Sequence, residues 1–90
     1  MQLKMIKNDN VIYLCRNETE IESYSLAEAI DFKKLMAFLI KNELSEKIEL
    51  LVELENPNDQ ENALISLIRS IVDKYNSGVD ELKAFEENNQ

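Results

Sequence analysis

The chain has 90 residues, 18 of them acidic and ten basic, with no histidine and a formal charge of −8. That length makes a single small domain, 1–90, and a hydrophobic content of 44% sets it among globular chains, not disordered ones. A nucleic-acid binder needs Lys and Arg to displace counterions from phosphates, and no basic stripe runs through this sequence, so direct nucleic-acid binding is not expected.

Residues 2–7, QLKMIK, and 11–16, VIYLCR, are β-rich runs separated by Asn8-Asp9-Asn10. Asn and Asp tolerate positive φ and bond their own backbone, which predicts a hairpin without glycine. The second run is apolar on both parities, Val11/Tyr13/Cys15 and Ile12/Leu14. That pattern suits a strand covered on both faces, or one with a face awaiting a partner. Residues 19–24, TEIESY, alternate again and predict a third, edge strand whose glutamates discourage unwanted pairing. An antiparallel three-stranded meander follows.

Ser25 and Glu28 fit a capping box, which predicts a helix over 26–42. Its stripe would be Phe32, Leu35, Met36, Leu39 and Ile40. Phe38 falls about 60° away from Leu35 on the helical wheel, as a flanking core residue or as an aromatic anchor for a partner. Residues 45–55, SEKIELLVELE, fit two periods. As a helix they gather Glu46, Glu49 and Glu53 on one polar arc, and Leu, Glu and Lys are good helix formers, so helix is favoured. The alternative is a fourth strand over 47–54, with Ile48, Leu50, Val52 and Leu54 inward. Pro57 ends the segment.

The strongest pattern lies in 58–78, with Asn58 and Glu61 as a second box-like start. Ala63, Leu64, Ile65, Leu67, Ile68, Ile71, Val72 and Tyr75 spread over about 200° of a helix running 59–76, too wide an arc for one neighbour. Gly78 would end it as a left-handed C′ residue. A short helix over 79–86 would fold back, carrying Val79, Leu82 and Phe85, and residues 86–90 are expected to fray. The fold class is therefore α+β, the meander packed on a C-terminal helical layer.

Little in the sequence supports catalysis. Without histidine there is no His-based acid–base pair, no Ser–His or Cys–His nucleophile and no His-containing zinc site. One glycine excludes the phosphate-cradling loops. Residues 56–67 fail as a calcium loop, because Glu61 occupies the turn-glycine position and Leu67 the bidentate-glutamate position. Cys15, the lone cysteine, reads as a small buried hydrophobe. No enzyme activity, metal or cofactor is expected.

Charge placement is the remaining signal. Between 43 and 61 lie seven acids (Glu43, Glu46, Glu49, Glu53, Glu55, Asp59, Glu61) against Lys47. On the helical reading, Glu46, Glu49 and Glu53 make a rigid row able to steer and dock a basic protein surface. The expected function is thus a small, acidic, non-catalytic interaction protein: an inhibitor, immunity or accessory factor, compatible with a bacterial or phage gene. The alternative is a homodimer or larger homo-oligomer joined through the apolar strand face, Tyr13 included, and Phe38. A lone cysteine and an N-terminus without an apolar leader segment point to the cytoplasm. No run is long enough to span a membrane.

Overall fold

Two tight turns organise the N-terminal third. Asp9 and Asn10 hold φ at 50° and 66°, and Asn17 holds 56°, positive values that match the right-handed twist of hairpin strands. They join β1 (Gln2–Asn8), β2 (Val11–Arg16) and β3 (Thr19–Ser25) into the expected antiparallel meander. The computed structural model describes residues 1–88, so fraying at Asn89 and Gln90 lies outside the described residues.

Segment 45–55 is not a helix. Glu49–Val52 forms β4, which pairs in parallel with β1 and completes a sheet of order β3-β2-β1-β4. The alternative reading of a fourth strand is the correct one, and the reason is tertiary. The free edge of β1 takes up the segment's amides, with Glu49 N–H donating to the Met1 carbonyl at 2.8 Å and Glu53 N–H to the Met5 carbonyl at 2.9 Å. Just before the strand, the Asn76 carboxamide accepts from Ile48 N–H and donates to Ile48 C=O, each at 2.7 Å. Ladder and clamp together outweigh the few tenths of a kcal/mol per residue by which Leu and Glu prefer a helix.

α1 spans Lys33–Asn42, starting later than the expected residue 26. Ser25 and Glu28 make a backbone turn instead, Glu28 N–H donating to Ser25 C=O at 3.0 Å. The true cap comes from across the fold. The buried Glu22 carboxylate on β3 accepts from Lys34 N–H at 3.2 Å and Leu35 N–H at 3.1 Å, and also from the Tyr24 hydroxyl at 2.9 Å. A helix start leaves amides without intrahelical partners, and a carboxylate there also meets the positive end of the dipole.

α2 (Asp59–Asn88) opens on the box read from the sequence. The Asn58 side chain accepts from Glu61 N–H at 2.8 Å, and Glu61 accepts from Asn58 N–H at 2.9 Å. Gly78 does not end this helix, and 79–86 is no separate one; α2 runs on through both, and 86–88 are helical, not frayed. Gly78 permits close packing, since a Cβ there would lie 3.1 Å from Leu44 Cδ2.

Both helices pack on one face of the sheet, around Leu3, Met5, Ile12, Leu14, Leu35, Ile68 and Val79. The wide apolar arc of α2 does not mean a second cover. Leu67, expected inside, is 54% exposed, and on α1 Met36 and Ile40 are 45% and 72% exposed.

Candidate protein-interaction face

Strand alternation sorts the sheet's side chains into two sets. Leu3, Met5, Ile12, Leu14 and Tyr24 enter the core, joined by Leu50 and Val52 from β4. Lys4, Ile6, Val11, Tyr13, Cys15 and Leu51 have the opposite parity, and none belongs to that core cluster. Among the described residues no helix covers this second face. In a sheet with one wet face the outward positions are usually polar. Here β2 places Val11 and Tyr13 outward, with Cys15 on the same side but buried at 8% exposure, and the neighbouring strands add Ile6 and Leu51.

The register fixes how these groups meet. Tyr13 lies opposite Ile6 on one side and Ser23 on the other, and Lys4 lies between Cys15 and Leu51. Glu53 follows Val52, the partner of Met5, so it stands beside Ile6. Tyr13 and Glu53 are thus two strand spacings apart, about 10 Å. Glu49 shares this parity at the other end of β4. The face therefore carries an apolar strip with carboxylates along its β4 edge. Lys4 reaches Glu53 at 3.6 Å, an exposed pair of small energetic weight.

The helical acidic row does not exist. Because the segment is a strand, Glu49 and Glu53 share the open face, whereas Glu46 lies in the loop before it, 3.7 Å from the N-terminal ammonium. Tyr13 joins Glu49 and Glu53. Phe38 does not, for it sits on a flank of α1 across the sheet from Tyr13 and packs against the core edge.

Around Phe38 is a feature that sequence reasoning missed. Arg16, Lys34 and Lys41 surround a shallow depression floored by Ile21, Ala37 and Phe38, with Glu20 on its rim. A register shift between Leu14 and Cys15 leaves Ile21 out of the β2–β3 pairing, and its side chain packs against the helix-side core. None of the three cations has an ion-pair partner among the described residues. Half of the cluster is local, since Lys34, Phe38 and Lys41 recur at i, i+4 and i+7 on α1; what no local pattern shows is that the separate stretch 16–21 brings Arg16 and Ile21 to that face.

Three groups have perturbed acidities. Burial, with Glu20 nearby, pushes the Cys15 thiol up. Burial and then the hydrogen bond to Glu22 push the Tyr24 hydroxyl up. The Asn58 amide, followed by the Lys7 ammonium 2.9 Å away, holds Glu61 below the ordinary carboxylate range. Among the described residues no three His, Cys, Asp or Glu side chains gather closely enough to hold a metal ion, and no helix is long and apolar enough to cross a membrane. No protein-family model, curated protein or solved structure matches this chain.

Proposed function

We propose that this chain is a small, non-catalytic interaction protein of the cytoplasm that docks a basic protein partner on the open face of its sheet. The observation that carries the reading is the uncovered strip of Ile6, Val11, Tyr13 and Leu51 bordered by Glu49 and Glu53. An apolar centre with a charged rim is the anatomy of protein interfaces, and tyrosine is enriched among residues whose loss weakens binding most. The net charge of −8 adds long-range attraction for a basic surface. An inhibitor, immunity or accessory role uses this chemistry without any reacting group.

The test is capture from the source cell at low and high salt, with the wild type, Tyr13→Ala and the Glu49→Lys/Glu53→Lys double variant. The reading expects a basic protein that is retained at low salt, released at high salt and lost by both variants. Removing a central tyrosine costs about 2 kcal/mol or more where it anchors an interface. Capture of the same protein by wild type and by both variants, each with a wild-type circular dichroism spectrum, would sink this assignment. Self-association is favoured by a different surface, the depression around Phe38.

A further inference from the structure

The basic depression stands out in so acidic a molecule. Of the ten bases, Lys4, Lys7 and Lys47 each pair with a carboxylate, and the other seven have no ion pair among the described residues. Arg16, Lys34 and Lys41 instead gather, all exposed, over the apolar floor of Ile21 and Phe38. Three cations against the single carboxylate of Glu20, over an apolar floor, match a segment that presents an apolar side chain between carboxylates.

The chain carries such a segment itself. Val79 is the last buried residue of α2, yet the helix continues to Asn88. A helical extension of about two turns has little stability of its own in water. Within it Leu82 and Phe85 lie on one side, Phe85 being 65% exposed. At about 100° per residue, Glu81 and Glu86 flank that side to the left and right. The segment thus pairs an apolar ridge with an acidic border, as the depression pairs an apolar floor with a basic one.

The two features also lie at the same end of the molecule. Lys47 Nζ meets Asp80 at 2.8 Å and Ile48 bonds Asn76, which sets this part of α2 beside the start of β4. Glu49 is level with Gln2 and Lys4 with Cys15, so the start of β4 is the end that holds Arg16 and the β2–β3 turn. A twofold axis near that end lets each copy give its helix end and receive the other's, because a twofold contact is self-complementary.

We propose that two copies of this chain associate in this way, the acidic end of α2 in each copy seated in the Arg16/Lys34/Lys41 depression of the other, with Leu82 and Phe85 against Phe38 and Ile21. This contact does not depend on the open face of the sheet.

Sedimentation velocity on the full chain tests it, using wild type, Lys34→Glu/Lys41→Glu, Glu81→Lys/Glu86→Lys, and an equimolar mixture of the two double variants. All four positions are exposed, so the variants keep the fold, which circular dichroism verifies. The wild type should dimerise, and its dissociation constant should rise at least tenfold, on the order of what close charge pairs contribute, between about 0.05 M and 0.5 M salt. Each double variant alone should be at least about tenfold weaker than wild type, because like charges now face each other. The mixture should recover dimers, since both of its contacts again join opposite charges. A wild type that stays monomeric up to about 1 mM, the weak limit of specific association, overturns the proposal. So does a wild-type dimer that either double variant leaves unchanged, and so does a mixture that remains monomeric.

Discussion

Glu22 should be the most consequential polar side chain in the fold. It is 5% exposed and joins three donors from two elements, the Tyr24 hydroxyl and the Lys34 and Leu35 amides that open α1. One carboxylate oxygen serves both Tyr24 and Leu35, and the other serves Lys34. Glu22→Gln keeps the shape but turns one oxygen into an NH2 donor. Either orientation leaves one helix-start amide facing the new donor, Lys34 N–H in one and Leu35 N–H in the other, because the Tyr24 hydroxyl can turn to accept from the NH2. That costs about 1–3 kcal/mol for a group left without its acceptor. Loss of the charge beside the helix start adds about 0.3–1 kcal/mol. The sum is roughly 1–4 kcal/mol against a typical domain stability of about 5–15 kcal/mol.

Urea unfolding at neutral pH reads this directly. With a slope of about 1 kcal/mol per M for a small domain, Glu22→Gln should lower the midpoint by about 1–4 M. Tyr24→Phe removes one donor and leaves the carboxylate its two amides, so it should cost about 1–2 kcal/mol. The double variant should cost less than the sum of the two, since Tyr24 and Glu22 share a bond. A Glu22→Gln midpoint within about 0.5 M of wild type, the range of an ordinary surface change, would refute the claim that this carboxylate anchors α1.

Two further outcomes are expected. Ile68 has no exposure and Leu67 is mostly exposed, so Ile68→Ala should cost about 2–5 kcal/mol and Leu67→Ala about 0.5 kcal/mol or less, measured by the same urea midpoints; equal losses would contradict the packing of α2. Glu61 is held below the ordinary carboxylate range by Asn58 and then Lys7. A carboxylate depressed in the folded state contributes stability that is complete above its unfolded pKa, about 4.3, and is lost as pH falls through the lower folded value. The gap between wild type and Glu61→Gln should therefore be widest near neutral pH and close below about pH 4, and a gap that does not change with pH would refute that role.

Where local chemistry decides the structure, the sequence was a good guide. The Asp9-Asn10 and Asn17 turns need only residues that tolerate positive φ, and the Asn58/Glu61 box needs only its own backbone. Where distant groups compete, it was not. Ser25 and Glu28 offered a local cap to α1, but Glu22 sits closer to the amides that need one and gains three bonds in one place. Gly78 resembled a stop because glycine is commonest there, yet the residue is small for the sake of Leu44, 34 positions earlier. The 45–55 segment fits both periods, and the free edge of β1 together with Asn76 decides for the strand.

The open face was legible in part, and the topology shows why only in part. VIYLCR is apolar on both parities, so β2 announces either two covers or one cover and one vacancy. β3 and β4 run in the same direction, both antiparallel to β2, and α1 connects them across the sheet. Such a crossover is right-handed almost without exception, so it lays α1 on one predetermined face. α2 then returns from β4 to the same side, where Ile68, Val72 and Val79 join Leu35 in a single core. A sequence reader who takes 45–55 for a helix, and 79–86 for a separate one, has four helices to distribute and no crossover, and both faces look coverable. Once the segment is a strand, only two helices remain and both are committed to the Leu3, Met5, Ile12 and Leu14 side. The vacancy opposite them, with Tyr13 at its centre and Glu49 and Glu53 at its edge, is therefore a direct consequence of β4.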